Sequence, residues 1–192
     1  PNASLYLEVG SKKANWTNAP VRGFAQKKTI YKEGENPFTD GTCRFIPTER
    51  KKKKNKDQVF AEWVPTIPAT GKYAVYVSYQ TLPNSVSDAK YLVFHNGGVT
   101  EFKVNQKIGG GTWVYLGTFE FDKGNNDYGM VVLSNESKEK GVVCADAVRF
   151  GGGMGNIARG GQTSGLPRYL EGARYFAQWA GMPYPVYGGY EG

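Results

Sequence analysis

Residues 72–81, KYAVYVSYQT, alternate strictly, with Tyr73, Val75, Val77 and Tyr79 on one side and Ala74, Tyr76, Ser78 and Gln80 on the other. A period of two buries one face only if the backbone is extended, so this segment is a strand. Similar runs recur in LYLEV (5–9), QVFAEWVP (58–65), KYLVFHN (90–96), VTEFKVNQ (99–106), TWVYLGTFEF (112–121), YGMVVLSN (128–135) and VVCADAVRF (142–150). Asn96, Gly97 and Gly98 supply hairpin chemistry between two of them. About eight strands at regular spacing predict a mainly β chain: an antiparallel β-sandwich of jelly-roll type over residues 1–150. In TWVYLGTFEF the alternation puts Trp113, Tyr115, Gly117, Phe119 and Phe121 on one face and Val114, Leu116, Thr118 and Glu120 on the other.

Residues 151–192 differ in kind: a glycine-rich loop is followed by SGLPRYLEGARYFAQWAG. A start signal at Ser164 to Pro167, a stop at Gly181 and Pro183 beyond it predict one C-terminal helix. Leu170, Ala173, Phe176, Ala177 and Ala180 form its apolar stripe; Glu171, Arg174 and Gln178 occupy another face. A lone helix of this kind either packs on its own sandwich or is a fragment of an adjoining domain.

Two glycine runs, IGGGTW at 108–113 and FGGGMGNIARGG at 150–161, invite comparison with phosphate-binding loops. A phosphate cradle needs a strand, then glycines, then a helix N-terminus. The first run leads into a strand and the second lacks the dinucleotide spacing, so both read as turns. Charge is equally local. Six of the 24 lysines and arginines sit in RKKKKNK at 50–56, and the remaining 18 nearly balance 17 acidic residues. That run is a solvated loop or a contact for an acidic glycan, lipid surface or nucleic acid, and no specific nucleic-acid reader module accompanies it.

A self-sufficient active site is hard to assemble from these residues. His95 is the single histidine, without a GxSxG elbow, an HExxH pattern or a second imidazole. Its place next to a turn gives it a structural or surface role. Glu62, Glu101 and Asp146 lie on strands, and nothing in the sequence sets two of them at the separation glycoside hydrolysis requires. Asp122, Asn125, Asn126 and Asp127 in FDKGNNDYG lack the calcium-loop pattern and read as a turn. Cys43 and Cys144 are free to pair or to stay apart on sequence grounds. No apolar run is long enough to span a bilayer, and no signal peptide is recognisable.

Aromatic side chains on a sandwich face can stack on sugar rings. Trp16, Trp63, Tyr76, Trp113 and Tyr115 are the candidates, with His95 as a polar neighbour; each competes with an ordinary role in the core or in a cross-strand pair.

Taken together, WVPTIPATGKYAVYVSY, GGGTWVYLGTFEF, VVCADAVRFGGGMGNIARGG and SGLPRYLEGARYFAQWAGMP resemble the golvesin C-terminal-like domain of secreted Bacteroides-type proteins, over about residues 58–187. Chains of this type often bear the name xanthan lyase or accompany N-acetylmuramoyl-L-alanine amidase-like hydrolases. The resemblance implies a non-catalytic β-sandwich that binds polysaccharide or peptidoglycan beside an adjoining hydrolase domain. The implied location is outside the cytoplasm: secreted, periplasmic or at the cell surface. It implies no cofactor in the isolated chain. In the parent protein it implies zinc, to which Glu171 on the C-terminal helix would contribute while both histidine ligands came from outside this chain. Two other readings stand beside it, a polysaccharide lyase with His95 or a tyrosine as base, and a structural spacer that docks on a neighbouring protein domain.

Overall fold

The computed structural model describes residues 6–23, 41–50, 59–126 and 128–151. They form eleven strands: β1 Tyr6–Val9, β2 Thr17–Gly23, β3 Gly41–Pro47, β4 Phe60–Trp63, β5 Gly71–Ser78, β6 Ala89–His95, β7 Gly98–Val104, β8 Val114–Phe121, β9 Met130–Ser134, β10 Val142–Ala145 and β11 Ala147–Phe150. Every pairing among these strands is antiparallel. A five-stranded sheet runs β1-β4-β9-β6-β7, and two three-stranded sheets run β10-β3-β2 and β11-β5-β8. The expectation of a mainly β, antiparallel chain therefore holds. The expected C-terminal helix, Glu171 with it, lies outside the described residues.

β10 and β11 are consecutive and broken only at Asp146. One chain segment thus pairs with β3 on its first half and with β5 on its second, joining the two smaller sheets. Asp146 is 1% exposed at this junction and accepts a hydrogen bond from Ser78 Oγ at 3.0 Å. A single apolar cluster draws on all three sheets, with Ile46 from β3, Val75 and Val77 from β5, Tyr91 and Val93 from β6, Phe121 from β8, Leu133 from β9 and Val143 from β10. Each such side chain contributes roughly 1.5–3 kcal/mol by leaving water.

Two strands escape that pattern. β2 contains Pro20, is exposed along most of its length, and forms the edge of its sheet. Its register to β3 shifts between Asn18 and Arg22, an irregularity that accommodates a residue with no N–H to donate. β3 starts from a glycine and carries Arg44 in its centre. That guanidinium reaches back to β1, with Nε 2.6 Å from Glu8 Oε1 and Nη2 2.8 Å from Oε2, and also donates to the carbonyl of Trp16 at 2.8 Å. Burial opposes the charge on Glu8, but the bonds from Arg44 and the Tyr6 hydroxyl outweigh it and hold the carboxyl below its ordinary range.

Two buried cross-links stabilise the centre. Cys43 and Cys144 form a disulfide between β3 and β10, across 101 residues of sequence. Gln106, fully buried, uses its side-chain amide as a short piece of strand. Its Oε1 accepts from the Cys144 N–H at 2.8 Å, and its Nε2 donates to the Cys144 carbonyl at 2.9 Å and to Tyr91 Oη at 3.1 Å.

One expectation is corrected by the register of β5 and β8. Val75 lies opposite Gly117, yet the next residue, Tyr76, lies opposite Tyr115, so Leu116 is an inserted bulge residue. The insertion flips the alternation within β8. Phe119 and Phe121 face the main core with Leu116 and Val114, whereas Trp113 and Tyr115 face the other way and group with Tyr76 and Ala74. The five residues expected on one face are thus divided between two.

Candidate functional site

β7 and β8 each end their sheet, β7 in the five-stranded sheet and β8 in the β11-β5-β8 sheet. Between them opens a groove of about 410 Å³. Phe102, Lys103 and Asn105 line one wall and Val114, Tyr115 and Leu116 the other, with Tyr79 and Ile108 at the base and rim. The volume falls in the range of ordinary small-ligand clefts, and the lining combines apolar and aromatic surface with a few polar groups.

The Leu116 bulge shapes this groove. By reversing the face of β8 it brings Leu116 inward and leaves Tyr115 where it both lines the groove and tilts against Tyr76, with ring centroids 5.2 Å apart. Tyr115 Oη lies 2.6 Å from Thr118 Oγ1, which fixes the ring's orientation. Tyr76 is opposite Arg149 of β11, so the outer face of this sheet carries Arg149, Tyr76, Tyr115 and Trp113.

The first glycine run closes the end of the groove. Gly109 and Gly111 have φ of 73° and 77°, and a Cβ on Gly110 would collide with the backbone nitrogen of Thr81. Gly111 N–H donates to the Tyr79 carbonyl at 2.8 Å and Gly110 N–H to Thr81 Oγ1 at 3.2 Å. Tyr79 Oη sits 2.8 Å from the Ile108 carbonyl and 3.1 Å from that of Asn105. Two of the amides a phosphate would need are thus committed to the protein itself, and the run is a turn that ties the groove rim to β5.

The remaining sequence candidates are dispersed. Trp63 is 5% exposed in the main core, its ring 5.3 Å from Tyr6. Trp16 is equally buried and donates its indole N–H to the Phe60 carbonyl at 3.1 Å. Tyr76, 4% exposed, supports Tyr115 from behind, and Trp113 is half-buried beside them. Phe102, Lys103, Asn105, Tyr79 and Ile108 are among the groove residues that sequence reasoning missed. Their signal would have been the adjacency of two edge strands, which depends on strand order and leaves no local trace.

His95 closes the β6–β7 hairpin. Its Nδ1 accepts the Gly97 N–H at 3.0 Å, which leaves the neutral ring's proton on Nε2, 2.9 Å from Thr100 Oγ1. The ring stacks on Phe119 at 4.7 Å, and partial burial lowers its pKa. A lowered value means that His95 contributes stability above the ordinary pKa and loses it as pH falls through the folded value. An NMR titration of the single histidine should therefore give a pKa under 6.5, accompanied by a decline in stability below that pH. A value above 6.5 would contradict the effect assigned to burial.

The strand carboxylates do not form a hydrolytic pair. Glu62, Val132, Leu92 and Glu101 occupy one row across β4, β9, β6 and β7, so three strand spacings separate the two glutamates, roughly 14 Å. A glycosidase pair stands about 5–9.5 Å apart. Asp146 is buried at the junction of the smaller sheets. In the 122–126 turn, Asp122 accepts from Asn96 Nδ2 at 3.1 Å and Asn126 donates to the Lys123 carbonyl at 3.4 Å. Asp127 lies outside the described residues. Among the described residues no cluster of three or more His, Cys, Asp or Glu side chains is arranged to hold a metal ion, and no helix is long and apolar enough to cross a membrane.

Comparison with known proteins places this architecture. A xanthan lyase of Bacillus sp. (strain GL1) is 36% identical over 90 residues, which is 46% of this chain and 10% of that protein. The structure of Paenibacillus xanthan lyase superposes with a TM-score of 0.54 at 24% identity, over 80% of this chain and 12% of that one. The chain thus spans about a tenth of the length of these relatives, and the structural likeness is one of fold. The model of the golvesin C-terminal domain matches residues 39–152, more than half of the sequence. The strands from β3 to β11, the bulge in β8 and the groove beside it all fall within that span, and the chain belongs to the golvesin C-terminal domain family.

Proposed function

We propose that this chain is a non-catalytic, carbohydrate-binding module of a larger polysaccharide- or peptidoglycan-acting protein, and that the β7–β8 groove is its sugar site. The observation that carries this reading is the groove itself: an open cleft whose walls present Tyr115 and Phe102 beside Asn105 and Lys103. Aromatic faces suit the C–H faces of sugar rings, and the amide and ammonium suit their hydroxyls. The small share of each xanthan lyase that the chain spans supports an accessory role, since the rest of such a protein has ample length for catalysis. We read the five-stranded sheet and the two joined smaller sheets as the faces of a jelly-roll type sandwich. The Cys43–Cys144 disulfide supports an oxidising compartment, hence a secreted, periplasmic or cell-surface protein.

The lyase reading has less support, because both ring nitrogens of His95 are engaged within its own hairpin. Affinity electrophoresis through gels containing soluble polysaccharides tests the binding reading. The wild-type chain should be retarded, and Tyr115→Ala should weaken binding roughly tenfold, the scale of an aromatic anchor. Full retention of binding in Tyr115→Ala, with the thermal midpoint unchanged, would remove the groove from consideration.

A further inference from the structure

A second cleft, of about 510 Å³, lies on the outer face of the five-stranded sheet and shares Lys103 with the β7–β8 groove. Its lining includes three carboxylates, all engaged. Asp88 accepts from Ser137 Oγ and from the Lys138 N–H at 2.9 Å, while Glu101 and Glu136 clamp Lys90 Nζ at 3.3 and 3.4 Å. Although partial burial opposes its charge, these two carboxylates keep the Lys90 ammonium above its ordinary pKa. Three further cations, Arg50, Lys103 and Lys138, line the cleft as exposed residues, and none pairs with a carboxylate among the described residues.

The strand register adds a second sign. Lys90 and Lys103 sit directly opposite each other on β6 and β7, an arrangement of like charges that costs stability unless an anion relieves it. Glu101 and Glu136 relieve it on the Lys90 side only. Lys103, on the edge strand, is left turned toward solvent at the point where the two clefts meet. Arg50 is also the first residue of the run RKKKKNK, whose other residues lie outside the described ones.

From this geometry we infer that the two clefts form one extended site for an acidic, carboxylate-bearing polysaccharide, with sugar rings against Tyr115 and Phe102 and uronate carboxylates on Lys103, Lys138 and Arg50. The inference rests on the carbohydrate-binding reading and adds the class of glycan. Single-stranded nucleic acid also combines stacking with anionic charge. No nucleic-acid reader module accompanies these cations in the sequence, so the glycan is the favoured occupant and the nucleic acid is an outcome of the test.

The test compares the full 192-residue chain with Lys103→Glu/Lys138→Glu and with the single variant Lys138→Glu. Each is titrated by calorimetry with polygalacturonate, with neutral hydroxyethylcellulose and with an oligothymidylate. Both lysines are exposed, so the variants should keep the wild-type thermal midpoint, and the single variant secures the comparison if the double one does not fold. The expected result is tighter binding to polygalacturonate than to either other polymer. That binding should fall roughly tenfold or more in the double variant, as for two reversed surface charges, and weaken with added salt. Undiminished polygalacturonate binding by folded variants would overturn the inference. So would equal binding of hydroxyethylcellulose and polygalacturonate, while leaving the carbohydrate-binding reading in place. Tighter binding of oligothymidylate would overturn it in favour of a nucleic-acid site, and no binding to any polymer would overturn both readings.

Discussion

Replacing Cys43 and Cys144 together by alanine should lower the free energy of unfolding by about 4 kcal/mol, because their disulfide closes a loop of 101 residues. Cross-linking so long a loop removes conformations chiefly from the unfolded chain, so the native strands should keep their pairing. Both cysteines are buried, at 1% and 0% exposure, and sit on β3 and β10, where one small sheet faces the common core. Equilibrium urea unfolding of the double variant checks the value, and a loss under about 1 kcal/mol would show that the cross-link adds little to the fold.

The second large effect is expected at Gln106. Gln106→Leu nearly preserves volume but strands the N–H and carbonyl of Cys144 and the hydroxyl of Tyr91 without their partner. Each buried polar group left unsatisfied costs about 1–3 kcal/mol, so the variant should lose about 4 kcal/mol in the same assay. Retention of wild-type stability would mean that water or a local rearrangement replaces the amide. Both changes act on Cys144, one through its sulfur and the other through its backbone. Their combination should therefore depart from additivity, unlike changes at distant sites.

The contrast between these residues shows what a sequence of this kind reveals. β6 is legible because burial on one face enforces a period of two, whereas β5 and β9, buried on both faces at their centres, are legible as runs rich in β-branched and aromatic residues. The hairpin at 96–98 is legible because its backbone needs a glycine: Gly98 has φ of 114°. β2 is illegible for the opposite reason: as an edge strand with a proline and a register shift, it has little buried face to impose a pattern. The Leu116 bulge changes the face of Trp113 and Tyr115 without changing the sequence alternation, so the aromatic grouping had to be read from the register.

The groove was less legible still. Tyr115 was identifiable as an aromatic on a strand, but Phe102 and Lys103 matter only because β7 and β8, separated in sequence, end their sheets side by side. Gln106 reads as a polar turn residue, yet it is among the most buried side chains of the chain. Its burial is stable because three hydrogen bonds replace those lost to water, a condition set entirely by distant partners. Charge was partly legible: the run from Arg50 is plain in the sequence, whereas the place of Arg50 in one cleft with Lys103 and Lys138 requires the fold.

The central claim, that a carbohydrate is held between β7 and β8, is tested most directly by an NMR titration of the isotope-labelled chain with short oligosaccharides, oligogalacturonate and cello-oligosaccharides in parallel. The account predicts saturable amide shifts concentrated at Phe102 to Asn105, at Ile108 and Gly109, and at Val114 to Leu116, the residues that wall the groove. Shifts confined to the β1 and β2 edges, or no saturable shift with either sugar, would contradict it.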